Sequence, residues 1–261
     1  MNKIVMIGAG NVATHLSKAL AGAGMDISQV YSRTAEHAAQ LAKHVGADYT
    51  DDIDCLLTDA YAYIFAVKDD VIATLAKAVA DRVGDNHLFV HTSGSTPMTC
   101  LKEATKHYGV IYPLQTFSKD REVNFKEIPC FIEAVDEDAE GMVRMLAESV
   151  SDRVVAMCSE QRRLMHLAAV WSCNFVNHCY DVADGIMQAC DLPFELLLPL
   201  IDETARKVHE LSPRKAQTGP AVRYDRRIID AHLGLLAGQP QLADIYERMS
   251  KSIKEQSEKS E

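Results

Sequence analysis

Three small residues near the start of the chain restrict its fold more than any other feature of the sequence. Gly8, Gly10 and Ala13 stand in the pattern G-x-G-x-x-A. Ahead of them runs Ile4-Val5-Met6-Ile7, apolar and rich in branched residues, as in a parallel strand buried on both faces. Behind them, from Val12 to about Ala23, apolar residues return at helical spacing, and Gly22 and Gly24 supply the stop. A strand that passes this abruptly into a helix needs Gly8 for the tight turn. It needs Gly10 to let the backbone approach a ligand, and a small Ala13 so that helix lies close on strand. The helix start then offers free N–H groups and the positive end of the helix dipole, which suit a pyrophosphate. Gly8, Ala9, Gly10, Asn11 and Val12 are therefore expected to bind the diphosphate of a dinucleotide cofactor.

The rest of the first half keeps alternating. Strands are expected at Ile27–Tyr31, near Ala47–Thr50, and at Tyr61–Val67, Leu88–His91 and Val110–Tyr112. Helices are expected over Ala35–Val45, about Asp70–Arg82 and Pro97 to about Lys106. Such spacing means right-handed βαβ units and a mostly parallel sheet. Two further strands, Cys130–Glu133 and Val154–Met157, flank a helix over about Glu137–Ser149 and extend or cap the sheet edge. After Ser159 no strand pattern remains. Helical stretches run over about Glu160–Cys190, Pro193–Leu211, Pro220–Leu236 and Pro240–Lys254. The fold class is thus α/β, a Rossmann-type sheet over residues 1–158, followed by an all-α domain over 159–261. A length of 261 residues accommodates both. The polar end, Ser252–Glu261, is expected to fray.

Composition removes several functions. Lys and Arg number 27 against 37 Asp and Glu, a net charge of −10, so no broad basic surface exists for nucleic acid or anionic membrane. No apolar run approaches the ~18 residues of a membrane span, and the opening apolar run is too short for a signal peptide. The seven cysteines include no C-x-x-C pair, so neither a zinc site nor a disulfide scaffold is indicated. Scattered thiols fit a reducing cytoplasm. No metal is expected. The chemistry left is that of small molecules.

The second strand ends at Ser32-Arg33-Thr34, where a cofactor site for NAD usually carries an acid for the ribose 2′-hydroxyl. A guanidinium between two hydroxyls instead suits a 2′-phosphate, so NADP(H) is expected over NAD(H). Ligands of open α/β sheets bind outside the carboxyl ends of the strands. That places Val67, Lys68, Thr92, Ser93 and Gly94 beside the cofactor, with Gln115 and Thr116 toward the substrate. Ser93 is not in a G-x-S-x-G elbow and is read as a hydrogen-bonding residue. His91, at the very end of its strand, is read as structural. On the long helix, Arg162, His166, Asn174 and Asn177 form a polar stripe. On a regular helix Asn174 lies about 80° from His166 and about 12 Å further along the axis. His166 and Asn174 either serve the reaction or bridge helices of the bundle. Thr218, Gly219 and Arg223, around Pro220, read either as a plain helix start or as an anion-binding end facing the cofactor cleft, where they would meet substrate.

The stretches Gly8–Ala13, Ser32–Thr34, His91–Ser95, Tyr112–Phe117, Gln161–Asn177 and Gln217–Asp225 together carry a resemblance. The chain resembles the superfamily of pyrroline-5-carboxylate reductases, 6-phosphogluconate dehydrogenases and ketopantoate reductases. Within it the chain is most similar to a bacterial branch whose helical half is a domain of unknown function. The resemblance implies NADP binding, hydride transfer and a homodimer formed through the helical domain, and carries over no substrate; the leading expectation is an NADP(H)-dependent reductase of a small imine or keto acid. It departs from phosphogluconate-type enzymes where they use a Lys and an Asn, since His166 stands in place of the Lys and the Asn follows at a longer interval. His166 is then the first acid to consider, with Asn174 and Ser93 orienting the substrate. The alternatives are a non-catalytic NADP-binding sensor and a ketopantoate reductase-like enzyme.

Overall fold

A computed structural model describes residues 3–259. The chain gathers into two compact units, Met1–His178 and Cys179–Glu261.

The first unit carries one sheet of β1 Lys3–Ile7, β2 Asp26–Tyr31, β3 Asp48–Thr50, β4 Ala62–Phe65, β5 Leu88–His91, β6 His107–Pro113, β7 Cys130–Ala134 and β8 Val154–Ala156. Their spatial order is β3-β2-β1-β4-β5-β6-β7-β8. Neighbours are parallel except β6 and β7, which pair antiparallel because the chain returns by a loop rather than a crossover helix. The helices of this unit are α1 Asn11–Gly22, α2 Ala35–Val45, α3 Ile72–Val83, α4 Glu137–Val150 and α5 Ser159–Ala169.

Residues 4 to 7 explain the layers. All four are 0% exposed, and alternate side chains enter different cores. Ile4 and Met6 pack with Leu16 and Leu20 of α1 and Val143 and Leu146 of α4. Val5 and Ile7 pack on the other face with Ile72, Ala76 and Val79 of α3. A strand covered on both sides has no polar position, hence the unbroken apolar run. From β1 the chain moves outward to β2 and β3, then crosses back to β4 on the opposite side. The turns after β1 and β4 diverge there and leave a crevice at the carboxyl ends of the strands.

Several expected elements differ. The helix over Pro97–Lys106 is one 3₁₀ turn, Met98–Leu101. Thr105 Oγ1 donates to the carbonyls of Asp85 (3.0 Å) and His87 (2.7 Å), which draws the chain straight into β6. The stretch Glu160–Cys190 is α5, a π-helical turn Val170–Asn174 and α6 Phe175–Gln188. The compact units divide after His178, not at 158, because α5 is fastened to the sheet. Its Arg162, 1% exposed, pairs with Glu133 of β7 and donates to the Thr96 carbonyl at 2.6 Å.

In the second unit a 3₁₀ turn at Phe194–Leu197 leads into α7 Leu198–Glu210, then α8 Pro213–Ala216, α9 Pro220–Arg223, α10 Arg226–Leu235 and α11 Pro240–Glu258. The single helix expected over Pro220–Leu236 is broken at Tyr224, whose φ of 49° is left-handed. Asp225 then caps α10 by accepting the Ile228 N–H at 3.3 Å. The polar tail does not fray at Ser252, since α11 continues to Glu258. Ser260 and Glu261 lie outside the described residues. Among the described residues no helix is long and apolar enough to cross a membrane.

Candidate functional site

The crevice of the first unit is a cleft of about 1150 Å³. The first-turn residues Gly8 to Val12 form one wall, and the corner Ser32 to Thr34 closes one end. Val67, Lys68, Thr92, Ser93, Gly94, Gln115, Tyr112 and His166 also line it. Of the residues expected in this unit, Thr116 and Asn174 are exposed and do not line it. The extra residue of the π-helical turn ends at Asn174, so the regular helical phase that aligned it with His166 is lost. Thr218, Gly219 and Arg223 belong to the second unit. There Gly219, at φ 107°, precedes α9, and Arg223 ends it.

The first turn is built for close approach. Gly8 has a φ of 118°, and a Cβ there would lie 2.3 Å from the Ala66 carbonyl oxygen, so only glycine fits. A Cβ on Gly10 would meet nothing within 4 Å, which leaves that side of the backbone bare. Gly10 caps α1 without a side-chain hydrogen bond, and the first turn of α1 contains no acid. The leading N–H groups of α1 are therefore unmasked donors at the positive end of its dipole. The Asn11 side-chain amide donates to the Phe117 carbonyl at 2.7 Å. His15 holds the Ser118 carbonyl at 2.9 Å in the same way. Together they tie the loop bearing Gln115 to α1.

At the far corner, Arg33 is exposed and lines the cleft together with His37 from the first turn of α2. Sequence reading missed His37. Its position one helical turn past Arg33 was the available signal.

The loop after β5 organises the other end. The Ser93 hydroxyl accepts the N–H groups of Ser95 (3.2 Å) and Thr96 (2.9 Å) and donates to Thr96 Oγ1 (3.0 Å). Its hydrogen-bonding capacity is spent shaping the turn. Ser95 donates to the Asp69 carboxylate. His91 is fully buried, and its Nδ1 accepts the Ser93 N–H at 3.1 Å. Burial, and next the nearby Arg162 charge, push its pKa down to about 3, so the ring is neutral at ordinary pH.

Tyr112, at the carboxyl end of β6, was not singled out from the sequence. Its hydroxyl lies 2.9 Å from His166 Nδ1 on α5. A Cβ on Gly94 would fall 2.7 Å from Tyr112 Cζ and 2.8 Å from His166 Nδ1. The glycine thus lets the loop close down on the pair. Burial raises the Tyr112 pKa, against the opposing charge of Arg162, so the phenol keeps its proton. Arg162 lies one turn before His166, and its buried ion pair with Glu133 fastens that turn of α5 to β7. No group of three His, Cys, Asp or Glu side chains among the described residues is placed to hold a metal ion.

Residues 3–93 match the family described as NADP oxidoreductase coenzyme F420-dependent, and residues 128–253 match the domain of unknown function DUF2520. No curated protein matches the chain. Among solved structures, a candidate NADP oxidoreductase from Bacteroides fragilis is 50% identical over 97% of this chain and 98% of its own, with a TM-score of 0.93. An imine reductase from Myxococcus stipitatus, in complex with NADP+, is 17% identical over 97% of this chain and 93% of its own, with a TM-score of 0.69. A pyrroline-5-carboxylate reductase from Coxiella burnetii is 18% identical over 98% and 97%, with a TM-score of 0.58. The last two show a shared fold. Together with the glycine turn and the cleft it opens on, these matches place the chain in the family that joins an NADP oxidoreductase domain to a DUF2520 domain.

Proposed function

We propose that the chain is an NADP(H)-dependent reductase acting on a small imine or keto acid. The observation that carries this reading is one continuous cleft with a phosphate-binding turn, a cationic corner and a proton-bearing pair along its lining. The cofactor fits the residues present. The bare face at Gly10 and the unmasked N–H groups of α1 would hold the pyrophosphate. Arg33 and His37 would hold a 2′-phosphate, which supports NADP(H) over NAD(H). When bound and reduced, the nicotinamide supplies a hydride. The chain's part is to position the acceptor, to exclude water and to provide a proton. Ser93 shapes the loop that lines the reacting end, and the proton function rests with the Tyr112–His166 side of the cleft.

A fluorescence titration with NADPH and NADH tests the cofactor reading. Wild type is expected to bind NADPH more tightly, and Arg33→Ala to lose about tenfold in NADPH affinity while NADH is unaffected. Equal binding of both nucleotides by the wild type would refute the 2′-phosphate assignment. Oxidation of NADPH with no carbonyl or imine of a broad panel would favour the sensor alternative.

The same reading includes a homodimer. Leu164, Leu167, Trp171 and Phe175 are 68%, 53%, 62% and 46% exposed along one helical rod, and Leu196, Leu200 and Leu235 of the second unit are 61%, 65% and 83% exposed. Apolar surface of this extent is characteristic of an interface between chains. A monomer in sedimentation at micromolar concentration would overturn the dimer.

A further inference from the structure

We propose that Tyr112 is the proton donor of the reaction and that His166 stands behind it as the group that reloads it. This rests on the reductase reading above and assigns the donor within that site.

A phenol hydroxyl has one proton. Whichever of Tyr112 and His166 gives its proton to the 2.9 Å hydrogen bond cannot give the same proton to substrate. The two tautomers of His166 therefore define two different devices. With Nε2 protonated, Nδ1 accepts from Tyr112, and the phenol proton is held away from the cleft. With Nδ1 protonated, the imidazole donates to Tyr112 Oη, and the phenol proton is released to a third group. Three features favour the second arrangement. Tyr112 ends β6, in the row of strand ends beneath which a hydride acceptor would lie, whereas His166 enters from α5. Its ring is fixed between Phe131 (centroids 6.3 Å apart) and the His166 ring (5.9 Å, edge-on), which aims the hydroxyl. Gly94 leaves no side chain between this hydroxyl and the loop that lines the cleft. Burial also keeps the phenol protonated until it is called on.

A bound, reduced nicotinamide would supply the hydride that forms a C–H bond at the C=O or neutral C=N carbon, leaving the π pair on the heteroatom. That atom takes the proton of Tyr112 Oη. The phenolate takes the Nδ1 proton of His166 as Nε2 takes one from solvent, and exchange with solvent (a proton lost from Nε2, one gained at Nδ1) restores the Nδ1–H tautomer before the next turnover. Two consequences follow for substrate class. An acceptor that becomes basic on reduction, such as a ketone or unprotonated imine, requires this donor. An iminium that arrives already protonated does not.

The first test needs no substrate. Long-range ¹H–¹⁵N spectra of the ¹⁵N-labelled protein at mildly alkaline pH are expected to show the Nδ1–H tautomer of His166, reverting to Nε2–H in Tyr112→Phe. The second test uses 2,2,2-trifluoroacetophenone as the carbonyl probe with NADPH. Tyr112→Phe is expected to lower kcat by about 100-fold or more, with NADPH affinity within twofold of wild type. An Nε2–H tautomer in the wild type overturns the assignment, as does turnover of the probe by Tyr112→Phe within threefold of wild type. Failure of the wild type to bind NADPH would instead overturn the reductase reading, and this proposal with it.

Discussion

Replacing Glu133 by Gln removes the charge that faces a guanidinium which is only 1% exposed. In the wild type the carboxylate accepts from Arg162, from the Ser159 N–H at 3.0 Å and from the Ser159 hydroxyl at 2.7 Å. Glutamine keeps one acceptor oxygen for these donors and no charge. Breaking a buried ion pair from one side costs about 3–5 kcal/mol, chiefly because the remaining charge stays desolvated. Glu133 is 15% exposed and Gln preserves part of the hydrogen bonding, so the lower end, about 3 kcal/mol, is expected. Native-state hydrogen exchange at the Val110, Ile111 and Ile132 amides reads this locally, in β7, which carries Glu133, and in its neighbour β6. The double variant Glu133→Leu with Arg162→Met removes both charges and is expected to recover most of the loss. A Glu133→Gln cost below 1 kcal/mol, or a double variant as unstable as the two single effects added, would refute the role given to the pair.

Two further outcomes follow from the same loop. His91 is neutral when folded down to about pH 3 but takes up a proton near 6.5 when unfolded. Between these values the unfolded chain binds more protons, so stability must fall as the solution is acidified. From pH 6.5 to 5.0 His91 should account for a loss of about 1.5 kcal/mol, absent in His91→Gln. Identical pH slopes in urea unfolding of the two proteins would show that the buried ring is not the cause. Gly94→Ala places a methyl within 3 Å of both members of the Tyr112–His166 pair, and turnover is expected to fall at least about tenfold through misplacement. An unshifted His166 ring resonance in that variant would contradict the close packing.

Local rules carried much of this protein. The G-x-G-x-x-A turn, the apolar run Ile4–Ile7 and the alternation of periods two and 3.6 fix a parallel sheet with a phosphate-binding helix start, because each depends on residues a few positions apart. The same locality misled the reading elsewhere. The composition of Pro97–Lys106 suits a helix, yet hydrogen bonds from Thr105 to carbonyls eighteen and twenty residues away pull it straight. Nothing in the stretch Ala169–Phe175 announces a π-helical turn, and a reading without that turn gives Asn174 a helical phase that it does not have.

Of the reacting end of the cleft, the sequence determined that a His stands on the helix after the sheet and a Ser-Gly loop follows β5. Tertiary structure alone decided what they do. It joined His166 to Tyr112 across 54 positions and Arg162 to Glu133 across 29, and it turned the Ser93 hydroxyl inward upon its own loop. A hydrogen bond between distant residues leaves no periodic trace in either segment. It exists only once the sheet has brought the ends of β5, β6 and β7 beneath one helix.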